Sequence, residues 1–346
     1  MEARSLDEFA SIGHWTAERQ SAQWQKERGV VLGIGDDAAV VQLPDEPQQQ
    51  WQWVLAVDTM VETIHFNDKT MSPSDIGYKA LAANVSDVAA MGGVPMHALV
   101  SVSVPRAWGP DRMRSLYDGL YECADRYGVA VIGGDTTSSP QHLVVAVTVV
   151  GRVETGKALQ RSGAKPGDVV FVTGPIGQSA AGLHGLLDGQ VSTMPEPLVR
   201  AHRRPSPSVL AGRLLLQRGT CTSLNDVSDG AASEAWEIAE ASGVCLVLHD
   251  RQLPRSGALM SYAADSGQDA LEWMLYGGED YVLLGTIEAE DAEGAKAALE
   301  AEGIPMFIIG EVEVGGPDVQ LVTGGAGSFG LERRRQLQKR GYNHFG

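Results

Sequence analysis

The sequence predicts an α+β protein, with that architecture used twice along one chain. Three observations lead there. Strand-like and helix-like runs follow one another without the strict alternation that a doubly wound sheet requires. The length of 346 residues suggests two domains. Residues 152–167 combine Gly, Lys, Arg and Pro with no sustained periodicity, which marks a junction. The expected division is therefore 1–155 for an N-terminal domain and 156–346 for a C-terminal one.

The first element is a helix over 5–28, where Leu6, Phe9, Ile12 and Trp15 share one apolar face. Strands follow at 37–43 and 51–61, and a loop with His65 and Phe66 comes next. Residues 74–93 read as the central helix. Pro73 and Ser74 mark its start, Gly92, Gly93 and Pro95 its stop, and Tyr78, Leu81, Val85 and Val88 form an apolar stripe. Asp87 lies off that stripe, one turn from Ala80, Ala83, Asn84, Ala90 and Met91. A carboxylate among small residues reads either as a solvated surface group or as one that a backbone or ligand can approach. A strand at 96–104, a helix at 111–127, a turn at 132–137 and a strong strand at 142–153 complete the first half.

In the second half a strand at 168–173 precedes a helix at 177–187, and Pro205 and Pro207 break a helical stretch at 195–218. The turn Asn225–Gly230 opens a helix to about 241, with Ser228 or Asp229 as N-cap. Strands at 244–248, 281–287 and 306–314, helical residues at 256–264 and a helix at 291–302 follow, with a turn at 276–280.

Hydrophobic content of 43% and charged content of 21% fit a folded globular chain. The net charge of −17, from 44 acidic and 27 basic residues, argues against nucleic acid and anionic membranes as partners. An anionic substrate would need bound cations to reverse the local sign. Three cysteines, Cys123, Cys221 and Cys245, form no CxxC and suit a reducing cytoplasm. The N-terminus lacks a signal-peptide core, and the apolar run 143–150 falls far short of the roughly 20 residues that span a bilayer.

Acids recur beside glycine or at element ends: Asp36, Asp37, Asp58, Asp87, Asp135, Asp226, Asp229, Glu279 and Asp280. Taken singly, each reads first as a cap or an Asx turn. Taken together, converging carboxylates need cations, because two unit charges about 4 Å apart repel by ~4 kcal/mol at an effective dielectric near 20. Oxygen ligands without His or Cys neighbours suit Mg²⁺ shared with phosphates. No P-loop, protein-kinase signature or H-E-x-x-H motif is present. Gly325–Gly330 matches G-x-G-x-x-G, but too little chain follows for a βαβ unit. Arg161, at the junction, reads as a surface salt bridge or as a guanidinium gripping a polyphosphate.

Residues 33–39, 78–92, 132–137, 158–168, 226–230, 277–281 and 341–345 resemble, in order and spacing, the thiamine-monophosphate kinase family. That family shares a superfamily with aminoimidazole ribonucleotide synthetase, selenophosphate synthetase and a hydrogenase-maturation protein. The resemblance implies an N-terminal mixed sheet that pairs in a homodimer, a C-terminal α+β domain, and ATP bound between them. It implies several Mg²⁺ ions held by Asp37, Asp58, Asp87, Asp135, Asp226 and Asp229, and ATP contacts from Tyr117, Gly134, Asp135, Arg161 and Ser228. It implies substrate contacts from His65, Glu279 and Tyr342, with thiamine monophosphate as acceptor. The charge neutralisation would fall to Asp37, Asp58, Asp87, Asp135 and Arg161, with no general base. One departure stands out: Ala56 and Val57 replace a Ser-Thr pair, leaving the Val57 carbonyl as a metal donor and no hydroxyl at position 56. Another ATPase of the superfamily and a non-enzymatic Mg-nucleotide scaffold are the alternative readings. Selenophosphate synthetase is disfavoured because the N-terminal helix lacks a glycine-rich segment with a reactive cysteine.

Overall fold

A computed structural model describes residues 16, 20–42, 50–189, 193–324 and 332–342. Most of the expected first helix, the end of the 37–43 strand, the glycine-rich 325–330 segment and residues 343–345 lie outside the described residues.

The first half contains a short helix α1 (Ala22–Glu27) and strands β1 (Val30–Leu32), β2 (Ala39–Val41) and β3 (Trp51–Val61). Helix α2 (Pro73–Ala90), strand β4 (Val94–Pro105), helix α3 (Pro110–Tyr127) and strands β5 (Ala130–Ser139) and β6 (Val144–Glu154) follow. They form a six-stranded mixed sheet in the order β1-β2-β3-β6-β4-β5, in which only β4 and β5 run parallel. Residues of β3 and β6 alternate in burial because one face of the sheet packs on α2 and α3. The opposite face carries exposed Trp53, Val57, Leu99 and Ile132.

The second half runs β7 (Val169–Val172), α4 (Gln178–Leu187), α5 (Glu196–Arg203), α6 (Val209–Arg218), β8 (Cys221–Asp226), α7 (Ala231–Ser242) and β9 (Cys245–His249). It continues with α8 (Gly257–Ser266), α9 (Ala270–Tyr276), β10 (Leu283–Ile287), α10 (Ala292–Ala301), β11 (Phe307–Glu313), β12 (Asp318–Thr323) and β13 (Arg333–Gln336). Its seven strands lie in the order β13-β12-β9-β11-β7-β10-β8, with β12–β9 as the parallel pair. Val172, Leu246, Leu284 and Ile309 on one face meet Ala235 and Ile238 of α7. Phe171, Leu224 and Leu283 on the other meet α6 and α10.

Helix α2 is the wall common to both halves. Its N-terminus carries a capping box: Ser72 Oγ accepts the Asp75 N–H, the Asp75 carboxylate accepts the Ser72 N–H, and Pro73 takes the first turn. Fifteen of its 18 residues are buried, so the expected single stripe is a helix covered all round. Small residues make that possible. A Cβ on Gly77 would lie 1.9 Å from Leu116 O, and one on Gly119 1.8 Å from Ser74 O, so α2 and α3 cross at glycine contact. On its far side Ala90 joins the core that holds Ala211 and Leu215 of α6.

Four local expectations need correction. The helix expected over 5–28 is interrupted at Ser21, which is extended and caps α1 by accepting the Trp24 N–H. The 132–137 stretch is part of strand β5, not a turn, because Thr136 and Thr137 pair in register with Val102 and Ser103 of β4. Its glycines serve a bulge beside Ile132. The N-cap of α7 is Gly230, at φ 122°, and not Ser228 or Asp229. The 281–287 strand begins at Leu283, because Tyr281 adopts φ 52°.

Candidate active site

Helix α2 sets the positions of three acids from three elements. Fully buried Asn84 accepts the Asp58 N–H at 2.9 Å and donates to Ala80 O at 3.0 Å, which locks β3 against the helix at Asp58. The Ser86 hydroxyl donates to Asp226 Oδ2 at 2.5 Å, which ties the end of β8 to the same turn. Asp87 stands between them, half-buried.

Arg161 enters from the segment between the halves. Its Nη2 and Nε donate to Asp37 Oδ1 at 2.5 and 3.2 Å, and its Nη1 lies 3.1 Å from Glu237 Oε2. The side chain is 15% exposed, which removes the surface salt bridge as a reading. Behind it stands a network that the sequence reading did not single out. Asn225 Nδ2 donates to Glu234 at 2.6 Å and to Glu237 at 2.9 Å. Glu234 Oε1 in turn accepts the Asp229 N–H at 2.9 Å and the Ser228 hydroxyl at 3.4 Å. The available signal was two glutamates three residues apart on the helix that opens directly after the acidic turn.

The electrostatics match this crowding. Burial pushes Asp37 well above the usual carboxylate range; Arg161 opposes the shift, and Asp226 and Asp36 add to it. Burial and the charges of Asp58, Asp226 and Asp37 do the same to Asp87. Asp226 is pushed up to about 6 by burial, against the pull of Ser86 and Arg161. Buried Glu234 is raised well above its ordinary value, with Glu237 and Asp229 contributing. Such a cluster suits a cation beyond Arg161, and Asp37 Oδ2 is buried with no hydrogen-bond partner. Among the described residues, no three His, Cys, Asp or Glu side chains draw together tightly enough to hold an ion alone.

A cavity of about 300 Å³ opens beside these acids. Asp58, His65, Asp87, Ser228, Asp229, Glu279 and Tyr342 all line it. The Val61 N–H donates to His65 Nδ1 at 2.9 Å, so the neutral ring carries its proton on Nε2. Tyr342 is brought back to this wall by its own N–H, which donates to Asp229 O at 3.2 Å. The two rings lie 6.3 Å apart. Two non-glycine residues with positive φ line the cavity, Glu279 (65°) and Tyr281 (52°), and a third, Thr63 (73°), directly precedes the lining residue Ile64. Such conformations cost on the order of 1–3 kcal/mol each and persist where the surroundings over-determine them.

Asp37, Asp226 and Arg161 stand behind the cavity wall and do not line it, and Tyr117, Gly134 and Asp135 lie apart from both the cavity and that cluster within one chain. Val57, expected through its carbonyl, directly precedes the cavity-lining Asp58 and points its side chain to the open face of the sheet, 64% exposed. Tyr117 sits on α3 against the first core. Gly134 and Asp135 lie on exposed β5. Asp135 pairs with Ser101, Ser101 with Ala146 and Ala146 with Thr59, so three strand spacings, about 14 Å, separate it from the cavity edge.

Comparison with known proteins agrees with the fold. Residues 35–153 match the family "AIR synthase related protein, N-terminal domain", and residues 165–322 match its C-terminal counterpart. The thiamine-monophosphate kinase of Bacillus subtilis (strain 168) is 44% identical over 323 residues, 91% of this chain and 94% of that one. The thiamine-monophosphate kinase of Salmonella typhimurium is 34% identical over 98% of both chains. The solved structure of AaThiL complexed with AMPPCP and TMP matches with a TM-score of 0.83 at 29% identity, covering 100% of this chain and 99% of that one. With relatives this similar over nearly its whole length, the chain belongs to the thiamine-monophosphate kinase family of AIR synthase related proteins.

Proposed function

We propose that this chain transfers the γ-phosphoryl group of ATP to the phosphate of thiamine monophosphate, giving thiamine diphosphate and ADP. The observation that carries the reading is one cavity with two kinds of wall. Asp58 and Asp87 form one, backed by Asp226 and Asp37. His65, Tyr342 and Glu279 form the other. The family's AaThiL structure, which holds AMPPCP and TMP together, supports the same pairing of ligands.

Asp37, Asp58, Asp87 and Asp226 are the residues suited to hold Mg²⁺, with Asp229 at the cavity edge. The Val57 carbonyl and Asp135 complete the candidate set. Bound there, Mg²⁺ would supply positive charge that offsets the repulsion of donor and acceptor phosphates. Arg161 is charged and fork-shaped, and its place beside Asp37 suits it to a nucleotide phosphate. No side chain need act as a base. The second pKa of a phosphate monoester is about 6, so the attacking oxyanion is largely present at neutral pH. His65, protonated on Nε2, is a donor to substrate and not a proton acceptor.

The homodimer belongs to this proposal. Exposed Trp53, Val57, Leu99 and Ile132 form an apolar face on the first sheet, and a second copy seated there would cover it. A second copy is also the means by which Tyr117, Gly134 and Asp135, distant within one chain, could join a nucleotide site. We assign the domain junction to residue 155 and the protein to the cytoplasm. The three cysteines are unpaired, and no described helix is long and apolar enough to cross a membrane. The test is ADP release with thiamine monophosphate, thiamine, aminoimidazole precursors and selenide side by side. Turnover confined to thiamine monophosphate is the expected result, and turnover with another acceptor instead refutes the reading.

A further inference from the structure

Lys79 lies on α2, one turn before Ala83 and two before Asp87, and its side chain is 0% exposed. Its Nζ is 2.6 Å from Glu279 Oε2 and has no hydrogen-bond partner of good geometry. Burying an ammonium is costly unless it is paired, and burial lowers the pKa of this one while Glu279 raises it. Lys79 does not line the cavity; Glu279 does, with 27% of its side chain exposed. The same oxygen, Oε2, is also 3.4 Å from Nδ1 of buried His202, which is 3.2 Å from the Ser179 hydroxyl. Helices α2 and α5 thus meet on one carboxylate oxygen of the 277–281 loop, and α4 backs the histidine through Ser179.

The loop itself is held hard. Glu279 has φ 65°, its N–H donates to Ser228 O at 2.7 Å, and the next residue, Asp280, accepts the N–H groups of Gly177 and Ser179 at 2.5 and 3.0 Å. A strained residue gripped from several sides at a cavity wall is the arrangement expected of a preorganised contact.

We propose that Lys79 is a positioning residue for the acceptor substrate: with His202 it takes Glu279 Oε2 and so turns Oε1 to the cavity as the single acceptor offered. The complementary substrate group is an amine or a cationic ring at the end remote from the transferred phosphate. This rests on the proposed reading of thiamine monophosphate as acceptor, since thiamine carries both. A charge effect alone predicts the opposite sign: deleting Lys79 leaves Glu279 with unbalanced negative charge and should tighten binding of a cation.

Steady-state kinetics on the full chain separate these. K79M should raise KM for thiamine monophosphate about tenfold or more, since a charge-assisted contact loses its geometry, and leave KM for ATP within about threefold. E279Q should raise the same KM, and K79M added to E279Q should change it by less than about threefold, because Lys79 acts through Glu279. Should K79M fail to fold, the double variant, which removes both charges of the buried pair together, is compared with E279Q alone. An unchanged or lowered KM in K79M, or independent factors that multiply in the double variant, overturns the assignment. Wild-type protein inert towards thiamine monophosphate would instead refute the functional reading beneath it.

Discussion

The Ser86 hydroxyl donates to Asp226 Oδ2 at 2.5 Å, joining α2 of the first half to the last residue of β8 in the second. Both groups are buried, at 0% and 2% exposure, so water cannot replace the bond when it is lost. Ser86→Ala should therefore cost about 1–3 kcal/mol of stability at pH 7.5. Denaturant unfolding measures it, and an unchanged midpoint would contradict the account. The variant should also need more Mg²⁺ for half-maximal activity, since Asp226 loses the contact that orients it.

Arg161→Met breaks a buried ion pair and leaves Asp37 and Glu237 uncompensated. The expected loss is about 3–5 kcal/mol of stability. Catalytic efficiency with ATP should drop by at least about 10²-fold, as when a preorganised charged donor is removed. Arg161→Lys keeps the charge but not the fork that meets Asp37 through Nε and Nη2, so it should restore stability more than activity.

The acid cluster makes stability depend on pH with a definite sign. Asp226 is pushed up to about 6 and Asp280 to about 7, in both cases by burial above all, from an ordinary value of 3.8. Asp37 and Asp87 are raised as well. A carboxyl whose folded pKa exceeds its unfolded one binds its proton more tightly in the folded chain. The resulting stabilisation is complete below the unfolded value and is lost as pH rises through the folded one. Without Mg²⁺, thermal stability should thus increase as pH falls from about 8 towards 5.5. Added Mg²⁺ should stabilise more at pH 8 than at pH 6, because protons compete for the same oxygens. Asp87→Asn should raise metal-free stability at pH 8 and shrink the gain from Mg²⁺. Calorimetry across this range checks each part, and an opposite slope would show that the cluster is not destabilised by its own charge.

Much of this site was legible because the chemistry sits in short segments. Asp58, Asp87, Asp229 and Glu279 stand out as acids beside glycine or at element ends, while His65, Ser228 and Tyr342 enter through the family resemblance; all seven line one cavity. The strand 51–61 and the helices around 74–93 and 111–127 follow from periodicity and end signals. What escaped notice depends on tertiary contact. Lys79 reads as a surface lysine until α2 is seen to be covered on all sides. Glu234 and Glu237 read as solvated helix residues until Asn225 and Arg161 approach from other elements. Strand β8 overlaps the expected acidic turn only at Asn225 and Asp226, and its residues, Cys-Thr-Ser-Leu-Asn-Asp, have no apolar alternation to mark it; the buried hydroxyls of Ser223 and Thr286 meet at 2.7 Å instead. The separation of Asp135 from the cavity is set by strand order, which no local pattern encodes.

The central claim is transfer of one phosphoryl group to a phosphate, with no proton to remove. Phosphorus-31 NMR of the full chain with ATP, Mg²⁺ and thiamine monophosphate follows it directly. The monophosphate resonance should give way to the paired signals of a diphosphate ester, in step with conversion of ATP to ADP. Plain thiamine should leave the ATP signals essentially unchanged. Formation of AMP, release of inorganic phosphate in place of the diphosphate, or rapid consumption of ATP with plain thiamine would contradict the account.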